Sequence, residues 1–442
     1  MPLLGDWMRI LAKFQQFKFD RDNLTPMQAV LENHLATPAS PPVIEKPSET
    51  GGTERNPSLD IWRGIACLMV FAFHTGASFR WPPFAFYGNN GVHLFFVLSG
   101  YLIFQPFLRG MSGSRPMPSV GRFYARRFLR IYPPYLVALA AFILLRYVTH
   151  TNAPSAFNIL SHALMSFNYV SHINFFSINP VFWSLAIEAQ FYLILPIACM
   201  TAVALTGSGR AGKQCASLLV VASFLVIGVA SRTAENMFRD SADVRVRTIF
   251  SYLDLFGWGM LTAYVQQRFR LEGRIVSRWP LVCLGVIIVL ATNSWSFYAA
   301  DGNWLLTSKL AYTVISPALI CAGASLILLA IVLPSCPTKH LGILLLPLVW
   351  TGEISYSIYL YHVGVQFVIF KLIRLQTLPY MTQAILYALI SLPPTLLISW
   401  LMYLAIERPS LRWSGSLRRA KRSNNALDAG SSELPESAIV VA

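Results

Sequence analysis

Two ionisable residues within one apolar stretch could carry proton chemistry. In LDIWRGIACLMVFAFHTG, Arg63 and His74 are eleven residues apart. At about 100° per residue that spacing returns to within about 20° of the same helix face, about 16 Å further along the axis. Asp60 shares the stripe and can pair with Arg63. A histidine deep in such a helix can be a lone polar core residue or a general base, because its reference pKa lies near neutrality. FWSLAIEAQFYLILP places Glu188 one to two turns into another apolar helix, with Tyr192 at i+4. It can pair with an arginine of a different helix or act as acid or base. In TGEISYSIYLYHVGV, Ser355, Tyr359 and His362 fall at i, i+4 and i+7 and form one polar stripe. His362 carries the same two readings as His74. Glu353 is read as starting that helix, where a carboxylate favours the positive end of the helix dipole.

A second constellation is cationic. Residues 109–130 contain Arg109, Arg115, Arg122, Arg126, Arg127 and Arg130 and no acid. In FYARRFLRIYPP, Arg127 and Arg130 are i, i+3 neighbours expected to share a helix face. Planar guanidinium forks suit phosphate groups, and a basic loop against lipid headgroups is the plainer alternative. Ser99, in FFVLSGYLI, lacks a Gly-x-Ser-x-Gly elbow and is read as structural, with Gly100 allowing close packing or a kink. Glu407, in IERP beside Arg408 and Pro409, is read as a membrane-exit anchor.

The elements that must position these residues are membrane helices. Of 442 residues, 55% are hydrophobic and only 12% charged, about half the charge of a soluble domain. Mean hydropathy is +0.51. A soluble enzyme and a disordered chain are both excluded on these figures. Ten apolar segments follow one another at about 59–79, 91–108, 131–149, 183–206, 215–231, 249–266, 279–295, 309–333, 350–373 and 383–406. Most reach the ~20 residues needed to cross a bilayer. The expected fold is therefore an all-α integral membrane bundle of about ten transmembrane helices. With the N-terminus cytoplasmic, 25 of the 35 Lys+Arg fall in inside segments and 9 outside. That asymmetry places both termini in the cytoplasm. The segment 232–248 is the weak point, with Arg232, Arg239, Arg245 and Arg247 on the outer side. The net charge of +15 thus reflects membrane topology, and no nucleic-acid partner is expected.

Residues 1–55 form an expected cytoplasmic extension. Trp7, Ile10, Leu11, Phe14 and Phe17 at helical spacing suit an amphipathic surface helix or a loosely ordered segment, and 35–57 reads as a linker. Residues 413–442 read as a disordered cytoplasmic tail. Six cysteines lie singly, without paired spacing. No Walker A run, HExxH or Cys/His metal pattern occurs, so no metal is expected, and any chemistry belongs to the membrane bundle itself.

The ordered set LDIWRG with His74, FFVLSGYLI, FYARRFLRIYP, FWSLAIEAQFYL, GEISYSIYLYH and IERP resembles the acyltransferase-3 family, over about residues 56–412. The resemblance implies a ten-helix membrane domain in the bacterial cytoplasmic (inner) membrane. It also implies an acyl-CoA donor, commonly acetyl-CoA, and O-acylation of a carbohydrate or glycolipid acceptor. Arg63 and His74 match the family's Arg-x10-His pair. Arg127 and Arg130, beside Arg126, match its RxxR pair, proposed to meet the CoA phosphates. Glu188, Ser355 and His362 match recurrent positions. No extracytoplasmic hydrolase-like domain is expected after Pro409, so the resemblance is to the stand-alone type. The mechanism implied has His74 as general base, Arg63 or Asp60 fixing local charge, and His362 or an arginine meeting the oxyanion. The rival reading is a transporter or flippase of a lipid-linked sugar, for which an inverted repeat would speak; the two halves show none.

Overall fold

The computed structural model describes residues 56–76, 87–149, 153–169, 177–207, 209–238, 248–273, 277–300, 311–333, 343–375 and 377–415. The extension 1–55, the tail beyond Gly415, Cys336, Arg239, Arg245 and Arg247 lie outside the described residues. Those described are helical and contain no strand. The helices are α1 (Pro57–Gly76), α2 (Asn90–Met111), α3 (Val120–Val148), the short α4 (Ala156–Ala163), α5 (Phe182–Thr206) and α6 (Arg210–Phe238). They continue as α7 (Leu253–Leu271), α8 (Arg278–Ala300), α9 (Ser316–Val332), the short α10 (Leu346–Glu353), α11 (Ser355–Leu372) and α12 (Tyr380–Met402). A π-helical turn, Tyr403–Glu407, prolongs α12, and helix runs on to residue 415.

Each of the ten apolar segments coincides with helix. Among the described residues, seven helices are long and apolar enough to cross a membrane. The three others are α1, α7 and α11. These carry Asp60, Arg63 and His74, then Asp254, then Ser355, Tyr359 and His362. The polar groups are concentrated in the helices that fall short on apolarity or length. Helix is the form that satisfies every backbone polar group without water, so even proline-containing segments such as Pro133-Pro134 in α3 and Pro393-Pro394 in α12 remain helical.

Packing around α2 organises the bundle. Gly100 of α2 and Gly259 of α7 are where the two backbones meet. A Cβ on Gly100 would lie 2.0 Å from the Phe256 carbonyl oxygen, and one on Gly259 1.8 Å from that of Val97. The Ser99-Gly100 step thus serves close packing. Phe256 then stacks on Phe191 of α5 with centroids 4.1 Å apart, and Phe96 of α2 lies 4.6 Å from Phe256. Large apolar side chains such as Leu144, Leu205, Val226 and Leu389 are exposed on the outer surface, as lipid-facing helices require.

Three expectations change. The 350–373 segment is not one helix, because it breaks at Ile354. Glu353 closes α10 and does not start α11; its Oε1 accepts from Tyr403 OH at 2.9 Å. The close approach of Gly352 to Asp60, where a Cβ would meet the Asp60 carbonyl at 1.8 Å, holds α10 against α1 and accounts for the break. Arg232 lies in α6 and is buried, paired at 2.5 Å with Asp254 of α7, so its charge is neutralised within the bundle. The described part of the tail, residues 413–415, is helical. The described cysteines are free.

Candidate active site

His74 and His362, 288 residues apart, are brought together by α1 and α11. His362 Nε2 lies 3.3 Å from His74 Nδ1, with ring centroids 5.1 Å apart. His362 is fully buried. Its Nδ1 faces the carbonyls of Ile358 and Tyr359, both at 3.0 Å. Carbonyls only accept, so Nδ1 carries the proton and Nε2 presents a lone pair. His74 Nδ1 faces the Val70 carbonyl at 2.9 Å and that lone pair at 3.3 Å, so it too carries its proton on Nδ1. The consequence is chemical. His74 Nε2 is left as an unprotonated nitrogen without a hydrogen bond, the form a general base needs. His362 accepts from His74 and is not turned to donate to an oxyanion.

His74 lines a cavity of about 230 Å³ with Thr75, Val363, Gln366, Phe367 and Tyr387 among its walls. Gln366, one turn beyond His362 on α11, donates from Nε2 to the Phe71 carbonyl at 3.0 Å and to Thr75 Oγ1 at 2.8 Å. Arg63 is three turns back along α1 and donates to Asp60 Oδ1 at 2.7 Å; Asp60 is buried and Arg63 half-buried. The helical rise separates this ion pair from the imidazole of His74.

Glu188 is the centre of a second cluster. Its Oε1 accepts from Ser99 Oγ at 2.5 Å and from Tyr192 OH at 2.6 Å. The Arg127 guanidinium lies over the rings of Tyr192 and Phe123, at 5.5 and 5.7 Å, within electrostatic reach of Glu188. One turn before Glu188, Ser184 Oγ meets Tyr359 OH at 2.5 Å. A smaller cavity of about 60 Å³ lies here, lined by Glu188, Ser184, Tyr359, Phe95 and Phe96 among others. Ring contact between Tyr359 and His362, 5.9 Å between centroids, completes a polar line through the apolar bundle. It runs Arg127, Tyr192, Glu188, Ser184, Tyr359, His362, His74.

The cationic residues sit on helix, because α3 begins at Val120, ten residues before the apolar run. Arg127 is half-buried and turned toward Glu188, whereas Arg130 is exposed and electrostatically coupled to Glu407. The pair therefore diverges by environment. The Arg126 carbonyl accepts from Ser414 Oγ at 3.2 Å, which ties the end of α12 to α3. Ser355 Oγ is turned back to the Gly352 carbonyl at 2.8 Å and caps the break before α11.

Ser99, Ser184 and Glu407 escaped the sequence reading. Glu407 is buried, turned inward by the π-helical turn, and accepts from Ser357 Oγ at 2.6 Å. Ser357 and Glu407 sit in two recurrent motifs, but a helical repeat cannot pair residues of separate helices. A carboxylate expected inside an apolar bundle needs donors, and the serines at 99 and 184 were the signal available.

A family model described as an acyltransferase domain matches residues 56–404. Among curated proteins, the chain is 28% identical to YrhL of Bacillus subtilis (strain 168), provisionally named a peptidoglycan O-acetyltransferase, over 69% of this chain and 48% of that one. It is 34% identical over 153 residues to the peptidoglycan O-acetyltransferase OatA of Listeria monocytogenes, 32% of this chain and 23% of that one. A Staphylococcus aureus (strain COL) protein provisionally named an O-acetyltransferase is 25% identical over 70% of this chain and 50% of its own length. The chain spans half or less of the length of these relatives. No solved structure matches it.

Proposed function

This chain belongs to the acyltransferase-3 family, and we propose that it transfers an acyl group, acetyl by preference, from cytoplasmic acyl-CoA to a hydroxyl of a carbohydrate acceptor. The observation that carries the reading is the free Nε2 of His74, held in its basic form by His362 and Val70 beside a cavity. The acceptor O–H gives its proton to that nitrogen as its oxygen attacks the thioester carbonyl. The C–S bond breaks, and the departing CoA thiolate takes the proton back from His74, so charge and atoms balance. Arg127, Arg130 and Arg126 bind the CoA phosphates by charge-assisted hydrogen bonds. The thioester then travels along the line from Glu188 to His74. The smaller cavity, about 60 Å³, has room for a few waters at most, so donor binding requires Phe95 and Tyr359 to move aside.

In this reading ten helices cross the bacterial inner membrane, with both ends cytoplasmic. The polar groups of α1, α7 and α11 support it, because each has a partner inside the bundle: Asp60 for Arg63, Arg232 for Asp254, Ser184 for Tyr359 and His74 for His362. Paired groups make a crossing tolerable in hydrocarbon.

The test uses the purified full chain in lipid nanodiscs with radiolabelled acetyl-CoA and an oligosaccharide acceptor. Label is expected in the sugar, and His74→Ala should abolish transfer without loss of the protein from the membrane. A flippase would transfer no label, and full activity of His74→Ala would sink the scheme.

A further inference from the structure

We infer that Gln366 is a specificity-determining acceptor contact, and that the acceptor presents a second hydrogen-bond donor next to the hydroxyl that reacts. This rests on the transferase reading above. The cavity beside His74 has two acceptor atoms that nothing in the protein satisfies. One is His74 Nε2, left free because Nδ1 makes both of that ring's contacts. The other is Gln366 Oε1, buried and without a hydrogen bond. The orientation of the Gln366 amide is set by its partner. The Phe71 carbonyl at 3.0 Å can only accept, so the NH₂ group must face it and the oxygen is the atom left over. The second Nε2 bond, to Thr75 Oγ1, fixes the amide next to His74 in the chain.

A buried carbonyl oxygen without a donor is unfavourable, and a ligand that supplies one removes that penalty on binding. Both acceptor residues line one cavity of about 230 Å³, a volume on the order of one sugar residue. The remaining walls are largely apolar, with Val363, Phe367 and Tyr387 among them, and offer ring faces more than further polar partners. An isolated alcohol would satisfy His74 alone. A carbohydrate carries neighbouring hydroxyls, so one gives its proton to His74 Nε2 during transfer while its neighbour donates to Gln366 Oε1. The arrangement therefore selects polyhydroxylated acceptors by their second donor, because a site built around a hydrogen bond discriminates against an analogue that lacks it.

Deoxy sugars test this. The full chain in nanodiscs is given radiolabelled acetyl-CoA and either methyl glucoside or each of its monodeoxy derivatives. For the wild type, one derivative lacks the reacting hydroxyl and takes no label, and the derivative lacking its neighbour loses about tenfold in kcat/KM. In Gln366→Leu, methyl glucoside itself falls by about the same factor, the neighbour-deoxy derivative loses nothing further, and the KM for acetyl-CoA is unchanged. Thr75→Val removes one anchor of the amide and keeps Oε1, so it should retain the deoxy preference. Gln366→Leu keeping the full deoxy penalty, or Thr75→Val losing the preference as completely as Gln366→Leu, overturns the inference alone. A wild-type chain that labels none of these sugars overturns the transferase reading and this inference with it.

Discussion

Replacing His362 by leucine separates a base from the group that steadies it. The substitution removes the lone pair facing His74 Nδ1–H at 3.3 Å and leaves the Val70 carbonyl at 2.9 Å. His74 is neutral in the ground state and becomes imidazolium as it takes the acceptor proton. A neutral hydrogen bond contributes about 1 kcal/mol and one from a charged donor about 1.5–3 kcal/mol. The difference, about 1–2 kcal/mol, is what His362 adds to the transition state alone. At 1.36 kcal/mol per factor of ten, kcat should fall about 5–30-fold, with both KM values unchanged because the ground-state bond is weak. His74→Ala removes the base itself and should cost at least about 10²–10⁴-fold. The assay is steady-state transfer from radiolabelled acetyl-CoA in nanodiscs, with membrane accumulation of each variant measured in parallel. If His362→Leu is as inactive as His74→Ala while it accumulates normally, His362 touches the reacting atoms and the positioning argument is wrong. An unchanged kcat would equally refute it.

Three other outcomes follow from the same geometry. Arg127→Lys keeps the charge but loses the planar group stacked over Tyr192 and Phe123, so the KM for acetyl-CoA should rise about tenfold, with a smaller rise for the exposed Arg130→Lys; equal effects would contradict the different environments. Gly259→Ala puts a Cβ 1.8 Å from the Val97 carbonyl, where only backbone can yield, so it should destabilise the bundle by about 1–3 kcal/mol or more and lower its melting temperature in detergent; an unshifted melting curve would refute the tight α2–α7 contact. His162 of α4 lies outside the spans, stacked 4.0 Å from Phe167, and burial lowers its pKa from 6.5 to about 4. The folded state thus binds fewer protons than the unfolded one between those values, and stability is complete above about pH 6.5 and lost as pH falls toward 4. At pH 5 the loss is about 2 kcal/mol, and His162→Leu should flatten that part of the melting-temperature profile; a slope unchanged by the substitution would rule His162 out as its source.

Much of the fold was legible because its signals are local. Apolar runs of membrane length mark helices at all ten segments, since a backbone in lipid has few other ways to satisfy itself. Boundaries were less legible. The start of α3 at Val120 lies in a stretch whose arginines masked its helicity, and the break at Ile354 follows from the contact of Gly352 with Asp60, which no window around residue 354 contains. The candidate site divides in the same way. Arg63 with Asp60, and Glu188 with Tyr192, are neighbours within one helix and could be anticipated from spacing. Glu407 was misjudged as an exit anchor, because its inward turn depends on a π-helical turn and on Ser357 of another helix.

By itself, then, the sequence determined that this chain is a helical membrane bundle, which few residues in it can ionise, and which helix face each one occupies. Those follow from composition and from the 3.6-residue period, and neither needs a partner helix. Only the tertiary structure decided which faces meet. The rotation and depth of each helix are set by contacts such as Gly100 with Phe256 and Gly352 with Asp60, between residues distant in the chain. Those contacts seat His362 against His74 and Ser99 against Glu188, and leave Gln366 Oε1 and His74 Nε2 without partners beside one cavity.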